Sequence, residues 1–180
     1  GDVSVRIPLS VEHRVDATAR TNLAVAGAAV QMVEHAASAL AGLGIDCCLV
    51  KVSEEELPGL DGSAAPYVEA LLEAGLERLG QPLEPLVVRE PCRVEDGDAW
   101  VEALPPVYPG LSIEYDLDYG PGPIGRQGLS MRITPELYRR ELAAARTFIR
   151  SAEAERLTRS GLATHVTCRD LVVFGDDGPI

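Results

Sequence analysis

Val30 to Leu71 reads VQMVEHAASALAGLGIDCCLVKVSEEELPGLDGSAAPYVEAL, two helical patterns separated by an apolar run and an acidic loop. In the first pattern Met32, Ala36, Ala39, Leu40 and Leu43 recur at helical spacing, and Gly42 and Gly44 end it. The residues that precede it, Ala28 and Ala29, offer no side-chain cap for the exposed amides of the first turn. The second pattern opens after the Asp61-Gly62 turn, takes Pro66 near its start and carries an apolar stripe of Val68, Leu71, Leu72 and Leu76. Between them "IDCCLVKV" predicts a strand.

Outward from this stretch the same kinds of element repeat. Val3 to Pro8 and "NLAVAG" predict two short strands, so residues 1–80 form one αβ unit. Residues 81–85, with two prolines and no periodicity, read as a linker. A second unit over 86–180 follows. In it "LVVREPCRV" and "AWVEAL" flank an "EDGD" turn as a hairpin, "LSIEYDLDY" alternates as a half-buried strand, and "LSMRI" adds another. Thr134, Pro135 and Glu136 supply an N-cap, an N1 proline and a first-turn acid for a helix to about Ala145. A further helix runs from about Ala152 to Ser160, and "DLVVF" closes the pattern as a strand. The fold class is therefore α+β: two αβ units, each a small mainly antiparallel sheet with helices, facing each other across a cleft.

Composition narrows the function. Sixteen Lys+Arg against 28 Asp+Glu in 180 residues give a net charge of −12, which repels phosphate backbones and argues against a nucleic-acid partner. No apolar run approaches the roughly 18 to 20 residues that span a bilayer, and no leader pattern opens the chain, so the expectation is a soluble cytoplasmic protein. Cys47, Cys48, Cys92 and Cys168 make neither a zinc-knuckle spacing nor a disulfide framework.

The chemistry-bearing pair is Glu34 and His35, adjacent in the first helical turn and about 100° apart around the axis. On spacing alone, a solvated Glu beside a half-buried His explains the pair more simply than chemistry does. The surrounding blocks change that balance. "VEHAASALAGLGID", "LPGLDGSAAPYVEAL", "CRVEDGDAW", and "ARTF" followed by "SGL" and "LVVFGDDG" occur in an order that resembles the zinc-dependent UDP-3-O-acyl-N-acetylglucosamine deacetylases of bacterial lipid A biosynthesis. The resemblance runs from about Val30 to Gly178.

It implies an enzyme, a metal-dependent amide hydrolase that removes the N-acetyl group from an acylated UDP-amino-sugar, the committed step of that pathway. His35 would be a Zn2+ ligand, Glu34 the general base, and Thr147 of "ARTF" the hydroxyl that stabilises the tetrahedral oxyanion. Phe148 and the insert of about 148–167 would form the passage for the acyl chain, and Tyr119 would contact the nucleotide. For Asp61 the residues themselves point to a turn and a helix cap, and the resemblance adds a contact behind the metal ligands. His165 reads as an exposed loop histidine, with a metal ligand as the alternative. The family's opening strand pair, its other two zinc ligands and its general-acid His find no match here, so the remaining ligands are expected outside these residues. The chain alone is then expected to be inactive. The rival reading is a catalytically incomplete homologue that acts as a binding or structural subunit.

Overall fold

The computed structural model describes residues 5–161 and 167–180. A short 3-10 turn, Val11–His13, leads into a three-stranded antiparallel sheet of β1 (Arg14–Val15), β2 (Asn22–Val25) and β3 (Ala28–Val30). Register Leu23↔Val30 and Val25↔Ala28 makes β2 and β3 a tight hairpin around Ala26 and Gly27, both at positive φ. β3 corrects the sequence reading. Ala28 and Ala29 precede the helix as strand residues, and the residue at its N-cap is Val33, which also gives no side-chain cap.

Helix α1 covers Glu34–Leu43 and α2 covers Ala65–Ala74. Met32 lies outside α1, at φ 57, so the buried stripe is Ala36, Ala39, Leu40 and Leu43. α1 stops where Gly44 takes φ 68 and the amides of Gly44 and Ile45 turn back to the carbonyls of Ala41 and Leu40, a backbone that glycine adopts at no steric cost. Residues 45–52, expected as a strand, form none among the described residues. A strand needs a partner edge, and the bridge in this part of the chain is a single pair, Gln31 with Glu56. Residues 5–8 likewise form no strand, and residues 1–4 of that expectation lie outside the described residues.

Residues 75–91, which include the expected 81–85 linker, carry no regular element. Two antiparallel hairpins follow, β4 (Cys92–Asp96) with β5 (Ala99–Ala103) and β6 (Ser112–Asp118) with β7 (Arg126–Arg132). The first arm is shorter than "LVVREPCRV" because Pro91, directly before β4, has no amide to extend the ladder. Asp116 binds Arg126 through two contacts of 3.1 and 2.6 Å across the second hairpin.

The helix expected over 134–145 is instead α3 (Pro135–Leu137), capped by the Thr134 hydroxyl accepting from the Leu137 amide, and then a wider π turn, Tyr138–Leu142. The tertiary position of Tyr138 explains the widening. Its ring lies against Gly42 of α1, where any Cβ would overlap it, and its hydroxyl hydrogen-bonds Ser38 Oγ at 2.7 Å. Ala39, Leu43, Ala64, Val68, Tyr138 and Ala143 form one buried cluster, so α1 and α2 pack against a segment from beyond residue 86. Leu23, Val33, Ala36 and Leu57 form a second.

β8 (Phe148–Arg150), α4 (Ser151–Arg159) and β9 (Val172–Phe174) complete the chain, with β8 and β9 parallel in register Phe148↔Val172. The class is α+β with mainly antiparallel strands, and among the described residues its later half carries three separate two-stranded ladders. The surface totals 13995 Å², against about 8,400 Å² for a compact folded monomer of this mass. Exposed large apolar side chains include Val94, Trp100, Val101 and Tyr115 on the two hairpins and Leu79, Leu83 and Leu86 in the stretch before them.

Candidate functional site

The start of α1 holds the Glu-His pair in a half-buried position. Glu34 Oε2 accepts the Thr21 amide at 3.0 Å, and the Thr21 carbonyl accepts the Val33 amide at 3.1 Å. The carboxylate is thereby tied to the segment that enters β2. Tyr67 of α2 lies close enough for the Glu34 charge to act on it. Burial, with that charge, raises the Tyr67 hydroxyl above its ordinary range, and this hydroxyl donates to the Pro58 carbonyl at 2.7 Å. The His35 imidazole makes no hydrogen bond to the described residues, so both ring nitrogens are available to another partner.

A second group of residues forms around Asp61, Gly62 and Thr147. Asp61 Oδ1 accepts from the Ser63 amide (3.0 Å) and hydroxyl (2.8 Å), and the fully buried Ser63 Oγ accepts the Ala65 amide in the first turn of α2. Burial pushes the Asp61 carboxyl up, but the Ser63 hydrogen bonds and the nearby Arg146 charge outweigh it and hold it below the usual carboxylate range. This is the turn-and-cap role read from the residues. Thr147 sits just before β8, with its amide donating to the Gly62 carbonyl at 2.8 Å and its carbonyl accepting the Val172 amide at 2.9 Å. Its side chain is exposed.

Phe148, Tyr119 and Phe174 make an aromatic group. Tyr119 and Phe148 meet edge-to-face with centroids 5.5 Å apart, Phe148 and Phe174 do so at 5.8 Å, and the Arg150 guanidinium lies 5.5 Å from the Tyr119 ring centre. The structure thus brings Tyr119 to Phe148, and the 61–62 turn to the Arg146–Thr147 segment. Residues 162–166, including His165 and part of the expected 148–167 insert, lie outside the described residues. Sequence reasoning passed over Arg146, Arg150 and Phe174. Arg146 was visible as the residue before Thr147 in "ARTF", but its contacts were not.

Among the described residues no three His, Cys, Asp or Glu side chains gather in a way that could hold a metal ion. A catalytic zinc takes three protein ligands and a water. His35, as one available imidazole, does not by itself meet that requirement, so the described residues do not complete a zinc site.

The described residues thus carry a Glu-His pair at a helix start and a backbone-anchored threonine on an α+β frame. The family model described as UDP-3-O-acyl N-acetylglycosamine deacetylase matches residues 1–180, and the chain belongs to that family. Relatives named UDP-3-O-acyl-N-acetylglucosamine deacetylase include a protein of Anaeromyxobacter dehalogenans (strain 2CP-C), 37% identical over 97% of this chain and 56% of that protein. One from Psychrobacter sp. (strain PRwf-1) is 38% identical over 91% of this chain and 55% of its own length. A third, from Geotalea uraniireducens (strain Rf4), is 35% identical over 95% and 56%. The chain therefore spans somewhat more than half the length of the relatives it matches. No helix among the described residues is long and apolar enough to cross a membrane.

Proposed function

We propose that the natural protein carrying this chain is a zinc-dependent, cytoplasmic bacterial hydrolase that removes the N-acetyl group from UDP-3-O-acyl-N-acetylglucosamine, the committed step of lipid A biosynthesis. The observation that carries the reading is the family match over residues 1–180, with its relatives of that name. In this account residues 1–80 and 86–180 are two αβ units that flank the substrate.

His35 contributes one metal ligand, and the remaining ligands come from outside the described residues. Zinc, when bound, lowers the pKa of water to about 7. Glu34 takes up a proton on its carboxylate during the reaction. Its hydrogen bond from the Thr21 amide supports this role by fixing the carboxylate beside His35 while leaving the imidazole unencumbered. Thr147 donates its hydroxyl proton toward the oxygen on which negative charge develops, where a preorganised donor stabilises the transition state most. Support for that role comes from its two backbone hydrogen bonds, which hold the residue from both sides while its side chain stays exposed.

Phe148 contacts the acyl chain and Tyr119 the nucleotide end. The edge-to-face pair they make, with Phe174 behind it, offers an apolar wall of the kind an acyl chain needs. Asp61 organises the turn that meets Thr147. The test is incubation of the purified natural protein with acylated and deacylated UDP-N-acetylglucosamine, with and without a chelator. Release of acetate from the acylated substrate, lost on chelation and restored by zinc, is the expected result. Absence of acetate release from zinc-loaded protein would refute the reading.

A further inference from the structure

We propose that Arg146 is a positioning residue that sets the place of the Thr147 hydroxyl by clamping two loops together. The proposal rests on the role assigned to Thr147 above. Arg146 Nε donates to the Asp61 carbonyl at 2.5 Å, and one terminal nitrogen donates to the carbonyls of Arg169 (2.6 Å) and Cys168 (3.3 Å). The three acceptors come from two segments far apart in sequence, the 61–63 turn and the approach to β9.

Those same two segments hold Thr147. The carbonyl of Gly62 takes its amide, and the amide of Val172 binds its carbonyl. They are also in direct contact with each other. Gly62 stands at φ +80, and a Cβ there would overlap the Asp170 carbonyl oxygen, so the turn approaches this closely because the residue is glycine. Arg146 thus closes a ring of backbone contacts in which Thr147 is one link.

Arginine suits this task for a geometric reason. Its planar fork presents five donors at fixed angles, so one side chain can reach carbonyls on two edges, whereas a lysine presents three donors from a single point. Arg146 makes these contacts to main-chain oxygens of the two segments that hold Thr147, so it acts through Thr147. Displacing a reacting group by about 1 Å costs on the order of a hundredfold in rate. Loosening the ring should therefore appear in turnover.

The test uses the natural protein with Arg146→Met, Arg146→Lys, Thr147→Val and the corresponding double variants, each checked for fold by circular dichroism and for zinc content. Arg146→Met should lower kcat about ten- to a hundredfold with KM and zinc content nearly unchanged. Arg146→Lys should recover part of that loss. In the Thr147→Val background, Arg146→Met should cost less than about twofold more, because the group it positions is already gone. Independent, multiplicative losses, or a change confined to KM, would overturn the clamp while leaving the role of Thr147 intact. Full turnover in Thr147→Val would overturn that role and the clamp with it. Arg146→Lys carries the same cycle if Arg146→Met does not fold.

Discussion

Replacing Gly42 by alanine tests how α1 is joined to the segment that carries Tyr138. In an open helix interior, Gly→Ala stabilises by about 0.8–1.0 kcal/mol. Here the added methyl would overlap three atoms of the Tyr138 ring, a residue only 5% exposed. The ring cannot move aside without giving up its hydroxyl contact to Ser38, a loss of about 1 kcal/mol, and overpacking of this kind costs about 1–3 kcal/mol. Steric overlap should win. Gly42→Ala should thus destabilise by about 1–2 kcal/mol despite the helix propensity of alanine. Urea denaturation of the natural protein, followed by circular dichroism, reads the change from the shift in midpoint at constant slope. The decisive comparison is the same substitution in a Tyr138→Ala background, where the obstacle is gone and Gly42→Ala should become stabilising by about 1 kcal/mol. If Gly42→Ala stabilises the protein with Tyr138 in place, the packing described between α1 and the π turn is wrong.

Two further predictions concern the loop and the aromatic wall. Asp61 has a lowered carboxyl pKa in the folded chain, so its contribution to stability is present above the unfolded value of about 4 and fades as pH falls through the lower folded value. Asp61→Asn should flatten the loss of stability below about pH 4, measured by thermal melting across pH, and an unchanged acid profile would count against the Ser63 turn as its cause. If Phe148 lines the acyl passage as proposed, Phe148→Ala should raise KM for the acylated substrate far more than for a deacylated analogue; equal changes for both substrates would remove Phe148 from the acyl wall.

The parts of the fold that sequence revealed are those governed locally. α1 and α2 follow from an apolar period with Gly44 and Pro66 at the ends, the first hairpin follows from the turn at Gly97, and "LSIEYDLDY" and "LSMRI" were legible as strands though not as partners. What failed was set by distant contacts. Residues 45–52 have strand composition but no ladder, because pairing is a property of the partner edge. β3 was hidden by "GAAV", whose small residues carry little strand signal, and β8 is three residues held by Val172 to Phe174 far along the chain.

The site divides in the same way. Glu34 and His35 were visible as a pair, yet periodicity gave them no role; the role proposed for them came from the ordered blocks around them. Thr147 and Phe148 were picked out by the same blocks. The contacts of Arg146 could not have been, because carbonyl oxygens are present at every residue and leave no trace in the sequence.

The most direct test of the proposed division of labour measures zinc content and acetate release together, in the natural protein and in its Glu34→Gln and His35→Ala variants. Glu34→Gln should keep the metal, because the amide is nearly isosteric and the imidazole is untouched, while turnover falls on the order of a hundredfold or more through lost proton transfer. His35→Ala should lose zinc and activity together. A Glu34→Gln protein that is metal-free, or one that is fully active, would contradict the account.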